Sequence, residues 1–236
     1  MLLNWVQVYA SCSGDTTIKL FKIQGLKYEI VQALNNHTGA VYKIVELKNK
    51  KLASCSADSS IFLYFKDNNK YILDCKINTK GSCSSIIQTK DNEICYSEAT
   101  NNTICFYDLF ERKIKESISN ISKYNGSREW FIMINKDFLL IPGENKISIV
   151  DISKYKLIRI IDIRGSSWIF GVCMISKNCL LTGDYTGAIR EWKIEEDNLI
   201  LIAQKEKAHD SYINFLISLG NGKIASGSDD HSIKIW

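Results

Sequence analysis

Two histidines stand 21 residues ahead of two aspartates, His37 before Asp58 and His209 before Asp230, and a serine, Ser54 or Ser226, lies four residues before each aspartate. Brought together, these three groups suit nucleophilic hydrolysis, which needs an exposed hydroxyl polarised by an imidazole that a carboxylate orients. They equally suit a structural role, in which an aspartate at a tight turn accepts hydrogen bonds from the imidazole and the nearby backbone. The duplication favours structure, because an active site is rarely stamped into successive copies of a repeat. No catalytic residue is therefore nominated, and the chain is read as not an enzyme. Metal chemistry fares no better. The eight cysteines, at 12, 55, 75, 83, 95, 105, 173 and 179, contain no C-x-x-C, and no histidine lies at ligand spacing from a cysteine pair. The expectation is no metal and no cofactor, with the thiols buried in a reducing compartment.

The elements that must position these residues come from a repeat. Isoleucine recurs at 18, 61, 104, 147, 189 and 233, each time closing the same turn between two apolar strands, at intervals of 42 to 44 residues. A fixed period of about 40 to 45 residues fits a four-stranded propeller blade. The predicted fold is all-β, a propeller of four-stranded antiparallel blades with about six repeat units, in one domain spanning 1–236. The units end near 23, 66, 109, 152, 194 and 236. In the last copy, Gly220-Asn221-Gly222 signals a hairpin between YINFLISL and KIASGS, and Ile233 and Ile235 alternate with Lys234 as in a half-buried strand. Outer strands are expected at LKYEIVQAL, KYILDCKI, RKIKESISNI, YKLIRIIDI and NLILIAQK.

Composition narrows the partners. The net charge of +4 is spread along 236 residues, and its densest basic run, KNKK at 48 to 51, sits between two apolar strands as a solvated turn. A nucleic-acid binder would gather such charge on one face, so nucleic acid is not the expected partner. One proline and 13 glycines leave no linker composition, and no stretch reaches the roughly 20 apolar residues of a membrane span. The opening MLLNWVQVYA lacks a basic n-region and a cleavage site. An intracellular protein, cytoplasmic or nuclear, is expected, with no membrane and no small-molecule substrate.

The copy HDSYINFLISLGNGKIASGSDDHSIKIW resembles a full repeat of the WD-repeat β-propellers. The resemblance implies a hydrogen-bonded tetrad of His209, Ser226, Asp230 and Trp236. Copy two would carry His37, Ser54 and Asp58, with Tyr64 at the tryptophan position. Copy one matches at Ser11, Asp15 and Phe21. Copy five keeps Thr182 and Trp192, with Thr186 at the turn position and Asp184 two residues earlier. Copies three and four have Asn101 and Glu144 at the turn and no histidine.

In that family, ligands are commonly met on the narrow face, three and five residues after the histidine position and just before the turn aspartate. By register these positions are Ala40, Tyr42 and Ala57 in copy two, and Tyr212, Asn214 and Asp229 in copy six. Copy five contributes Trp168, Phe170 and Tyr185, copy four Arg128, and copy three Cys83, Ser85 and Thr100. Tyrosine, tryptophan and arginine are the residues enriched at binding hot spots, which points to partner binding through Tyr42, Arg128, Trp168, Phe170, Tyr185, Tyr212, Asn214 and Asp229. The resulting reading is a non-catalytic scaffold that binds proteins or peptides within a larger complex. The alternative is a reader of charged ligands, such as modified basic tails or nucleic acid, with Trp168, Phe170 and Tyr185 caging a methylated lysine as its sharpest form. Copy one starts at its second strand and copy six stops at its third, so the ring as written is expected not to close. About 25 upstream residues would complete six blades, and a further copy would make seven; the sequence is accordingly read as a fragment.

Overall fold

The structure, a computed structural model, describes residues 8–121, 131–163, 168–196 and 198–236. Blade one is β1 (Val8–Cys12), β2 (Ile18–Gln24) and β3 (Lys27–Leu34), and blade two is β4 (Val41–Glu46), β5 (Leu52–Ser56), β6 (Ser60–Asp67) and β7 (Lys70–Asn78). Blade three holds β8 (Ile86–Lys90), β9 (Glu93–Glu98), β10 (Thr103–Asp108) and β11 (Lys113–Ile118), with a 3-10 turn at Thr100–Asn102. Blade four is β12 (Ile132–Met133), β13 (Phe138–Pro142), β14 (Lys146–Asp151) and β15 (Lys156–Asp162). Blade five is β16 (Ile169–Ser176), β17 (Cys179–Asp184), β18 (Ile189–Glu195) and β19 (Asn198–Lys205), and blade six is β20 (Ile213–Gly220), β21 (Lys223–Ser228) and β22 (Ile233–Ile235). Within each blade, strands consecutive in the chain pair antiparallel. The fold is thus a six-bladed all-β propeller with four-stranded blades, three-stranded at each end. Among the described residues no hydrogen-bonded ladder joins the first blade to the last.

Each recurring isoleucine stands at or next to the start of a blade's third strand, or of β2 and β22 in the end blades, where its side chain enters the space between sheets. That space is where the core lies. Separate apolar clusters fill the five interfaces between consecutive blades: Ile18 with Leu52 and Phe62, Ile61 with Ile86 and Ile94, Ile104 with Leu139 and Val150, Ile147 with Leu180 and Trp192, and Ile189 with Ile213 and Leu216. Among the described residues Ile233 has no sheet beyond it, and it is 70% exposed. With it, Phe215, Ile217, Leu219 and Ile235 also leave apolar surface open on blade six.

A bulge recurs with the same period as the isoleucines. The pairing of third and fourth strands shifts register at Leu20/Phe21, Leu63/Tyr64, Phe106/Tyr107, Ile149/Val150 and Glu191/Trp192. A bulge adds a residue to one strand and increases its twist, which turns the outer strand of each blade away from the inner one. The predicted hairpin also forms, with Gly220 paired to Lys223 and positive φ at Gly220, Asn221 and Gly222. Between blades two and three, burial lowers the Lys43 ammonium to about 8, and its Nζ reaches Ser85 Oγ at 3.4 Å. Ser85 Oγ in turn accepts from the Phe131 amide at 3.2 Å, so one buried polar contact ties three blades.

Candidate functional site at the narrow face

The expected tetrads are assembled. In blade six, His209 Nδ1 is 2.7 Å from Asp230 Oδ2, His209 Nε2 is 2.6 Å from Ser226 Oγ, and Trp236 Nε1–H donates to the same Oγ at 2.8 Å. Blade two repeats the geometry, with His37 Nδ1 2.8 Å from Asp58 Oδ2 and Nε2 2.9 Å from Ser54 Oγ. A carboxylate only accepts, so Nδ1 carries the proton and Nε2 accepts from the serine hydroxyl. Burial lowers the His37 pKa in spite of Asp58, consistent with a neutral imidazole. Burial would raise Asp58, but donation from Ser60, the Thr38 amide and His37 outweighs it and holds the carboxyl down to about 2. Ser232 and His209 similarly hold Asp230 below the ordinary carboxylate range.

This is the connectivity of a hydrolytic triad, yet both serines are fully buried. A hydroxyl that no substrate can reach makes these two networks struts of the blade.

The other blades solve the same problem differently. In blade five, Thr182 Oγ1 accepts from Trp192 Nε1 at 2.9 Å, and the buried Asp184 carboxylate pairs with the buried Arg190 guanidinium instead of a histidine. Asp184 Oδ1 also accepts from the Thr186 amide at 2.9 Å and the Thr186 hydroxyl at 2.5 Å. In blade three, Tyr96 occupies the strand-serine position by pairing register, and Ser97 Oγ, one residue on, accepts from the Ser84 and Ser85 amides at 3.0 and 2.9 Å. Blade four places apolar Ile141 at the serine position and Val150 at the tryptophan position.

These networks fix the turns that display the narrow face. One backbone bond recurs: Ala57 N–H donates to Ala40 O at 2.9 Å, Tyr185 N–H to Trp168 O at 2.8 Å, and Asp229 N–H to Tyr212 O at 3.1 Å. The three pairs are equivalent, as the sequence register expects for copies two, five and six. In blade three the same bond joins Ala99 to Ser82. The equivalent positions there are therefore Ser82, Ser84 and Ala99, one residue earlier than Cys83, Ser85 and Thr100. Without a histidine to anchor that copy, the sequence offset slips by one. At Gly187, with φ +77, an added Cβ would lie 2.2 Å from His209 O, so the blade-five turn seats directly on the histidine of blade six.

Three of the expected partner-binding residues meet across this junction. Phe170 on β16 lies 6.5 Å from Tyr185 and 6.1 Å from Tyr212 between ring centroids, and Tyr185 stacks on Tyr212 at 5.0 Å with an interplanar angle of 6°. Tyr185, at the tip of the Asp184 turn, is 52% exposed. Asn214 Nδ2–H donates to Asp229 Oδ1 beside Tyr212, and Trp168 joins through its backbone bond to Tyr185. Near-parallel rings at 5.0 Å leave no room for a ligand between Tyr185 and Tyr212, so the trio forms a platform. Tyr42 is half-buried on β4 and makes no ring contact with the trio among the described residues. Arg128 lies outside the described residues.

A family model described as "WD domain, G-beta repeat" matches residues 202–236. The protein transport protein SEC13 of Yarrowia lipolytica is 34% identical over 65 residues, covering 26% of this chain and 22% of that protein. The sec13 protein of Aspergillus oryzae is 34% identical over 73 residues, 30% of this chain and 25% of its own length. The chain thus matches a quarter or less of these two relatives. Among solved structures, a chain of the Mitotic Checkpoint Complex superposes with a TM-score of 0.79 at 13% identity, covering 97% of this chain and 72% of its own. The WD40 β-propeller domain of Doa1 gives 0.77 at 15% identity, over 97% and 74%.

Proposed function

We propose that this chain, whose last repeat matches the WD domain, G-beta repeat model and whose fold is that of a WD40 propeller, is a non-catalytic scaffold that binds protein partners within a larger complex, and that the narrow face of blades five and six is one of its docking surfaces. The observation that carries this reading is the convergence of Phe170, Tyr185 and Tyr212 from two blades on a partly exposed platform. Such rings bury large area at low entropic cost while keeping a polar handle, as interface anchors do. The turns beneath are held by buried carboxylates, so the platform is pre-organised and loses little order on binding.

Its neighbours support the class: one solved chain is part of a mitotic checkpoint complex, and the curated relatives are named for protein transport. All eight cysteines are free thiols, which fits a reducing compartment, cytoplasmic or nuclear. No helix among the described residues is long and apolar enough to cross a membrane.

The test is affinity capture from source cells with the unaltered chain and with Trp168→Ala, Tyr185→Ala and Tyr212→Ala combined, after circular dichroism establishes that the variant is folded. A stoichiometric partner missing from the folded variant is the expected result. Identical partners on both proteins would remove the narrow face from the proposal and turn attention to the blade edges.

A further inference from the structure

The outer strands of the blades differ in how they guard their free edges. A strand at the end of a sheet presents unpaired N–H and C=O groups to any other chain, and charged side chains along it are one of the devices that prevent such pairing. Among the described residues β3, β7, β11, β15 and β19 each stand at the end of a sheet. Four of them carry charge within the strand: Glu29 in β3, Asp74 and Lys76 in β7, Lys115 and Glu116 in β11, and Arg159 in β15. β19 reads NLILIAQK, with no charge before Lys205, and Ile200, Leu201 and Ile202 are all exposed. The contrast is sharpest at the bulge. The extra residue of the outer strand is Asp74 in β7 and Lys115 in β11, and it is Ile202 in β19.

From this contrast we infer that β19 is a self-association edge: two copies of the chain pair β19 antiparallel across a twofold axis and join their fifth blades into one continuous sheet. The charges at the ends of the strand choose both the occupant and the direction. Glu196 precedes β19 and Lys207 follows it; both are exposed, and among the described residues neither makes an ion pair. Their neighbours Glu195 and Glu206 face Lys193 and Arg190. Antiparallel pairing sets the Glu196 end of one copy beside the Lys207 end of the other, twice over, whereas parallel pairing would set like charge beside like. A strand that is its own complement suits a second copy. Because the contact is isologous, each copy uses its one uncharged outer strand and the assembly closes at two. This surface is separate from the tyrosine platform, since β16, which carries Phe170, and β19 stand at opposite ends of the blade-five sheet. One strand pair buries less than the roughly 1,200 Å² at which stable interfaces begin, so the dimer is reversible, with Kd on the order of 10 to 100 µM.

Sedimentation velocity on the full chain, across concentrations that bracket this range, measures the association, and a monomer–dimer equilibrium is expected. Ile202→Lys is expected to weaken it at least about tenfold, because it sets two ammonium groups in the apolar middle of the pair. β11 carries Lys115 at the equivalent bulge, so a blade accommodates a lysine there. Glu196→Lys and Lys207→Glu are each expected to weaken the dimer by about two- to fivefold at low salt. The two exchanges together are expected to restore it, since they return opposite charges to each contact, and that restoration separates pairing of this edge from a general change in solubility. A chain that stays monomeric throughout, one that grows beyond a dimer, a dimer that Ile202→Lys leaves unchanged, or a double exchange that fails to restore association each overturns the inference. Association through the open apolar face of blade six, in particular, would survive Ile202→Lys. Partner capture by the narrow face is read from its own variants, so failure of the dimer is separable from failure of that docking surface.

Discussion

Blades two and six carry the same network in different surroundings. Their histidines, serines and aspartates meet at nearly identical distances, 2.8 and 2.9 Å in blade two against 2.7 and 2.6 Å in blade six. Their recurring isoleucines do not share an environment: Ile61 is fully buried between sheets, and Ile233 is 70% exposed. The tetrad is therefore a property of one blade, closed by hydrogen bonds among its own strands and the loop before them. The apolar core is a property of two blades, absent wherever a sheet lacks a neighbour.

The largest expected effect breaks that symmetry at the isoleucines. Ile61→Ala removes a fully buried side chain from the cluster that holds Ile86 and Ile94, and such truncations cost about 2–5 kcal/mol. Ile233→Ala is expected to stay within about 0.5 kcal/mol, because its side chain is already in water. Urea denaturation midpoints at matched m-values measure both. Equal losses would mean that Ile233 is covered in solution.

Next come the serines. Ser54→Ala leaves the His37 Nε2 acceptor buried without its donor, at a cost of about 1–3 kcal/mol. Ser226→Ala is expected to cost more, since Ser226 Oγ serves both His209 Nε2 and the Trp236 indole. A smaller loss in blade six would show that its exposed surroundings let water replace the hydroxyl.

The pH dependence follows from His37. Burial lowers its folded pKa below the ordinary 6.5, so between those two values the unfolded chain binds more protons than the folded one. Its contribution to stability is complete above about pH 6.5 and declines as pH falls below it. Asp58, held at about 2 against an ordinary 3.8, contributes above the latter value and is lost further down, as pH falls through about 2. His37→Asn is expected to flatten the stability profile between pH 7 and 5.5, read as thermal midpoints. An unchanged slope would assign the dependence elsewhere.

How much of this was legible in the sequence depends on whether a residue type repeats. The isoleucine period located every interface, and the 21-residue spacing located the histidine–serine–aspartate networks of blades two and six, because each recurs with its chemistry intact. The aromatic trio was legible as positions, since Tyr185 and Tyr212 fall at register sites, but its packing was not: nothing in the spacing says that two rings stack and close the space between them. The Asp184–Arg190 pair was half visible. Asp184 was out of register with the other turn aspartates, and an arginine six residues later in a strand reads as an ordinary surface cation until the sheet buries it. The bulges left no residue signature, because the extra residues lie in the outer strands, at Val31, Asp74, Lys115, Ile158 and Ile202, and share no single side-chain chemistry.

The smallest effect concerns the residue that differs between the two networks. Tyr64 fills the place in blade two that Trp236 fills in blade six, and the His37–Ser54 pair forms without an indole donor. Trp236→Tyr is therefore expected to leave the His209–Ser226–Asp230 connection intact and to cost about 1 kcal/mol, the net value of one ordinary hydrogen bond. The Lys205 ammonium, 4.6 Å from the Trp236 ring centroid, adds little, because a tyrosine face attracts a cation nearly as well. The comparison with Ser226→Ala gives this small number its meaning. If Trp236→Tyr costs as much as loss of the serine, the indole is what orients Ser226 toward His209, and blade six depends on its aromatic in a way that blade two does not. If it costs the expected fraction, the histidine, serine and aspartate form the strut by themselves.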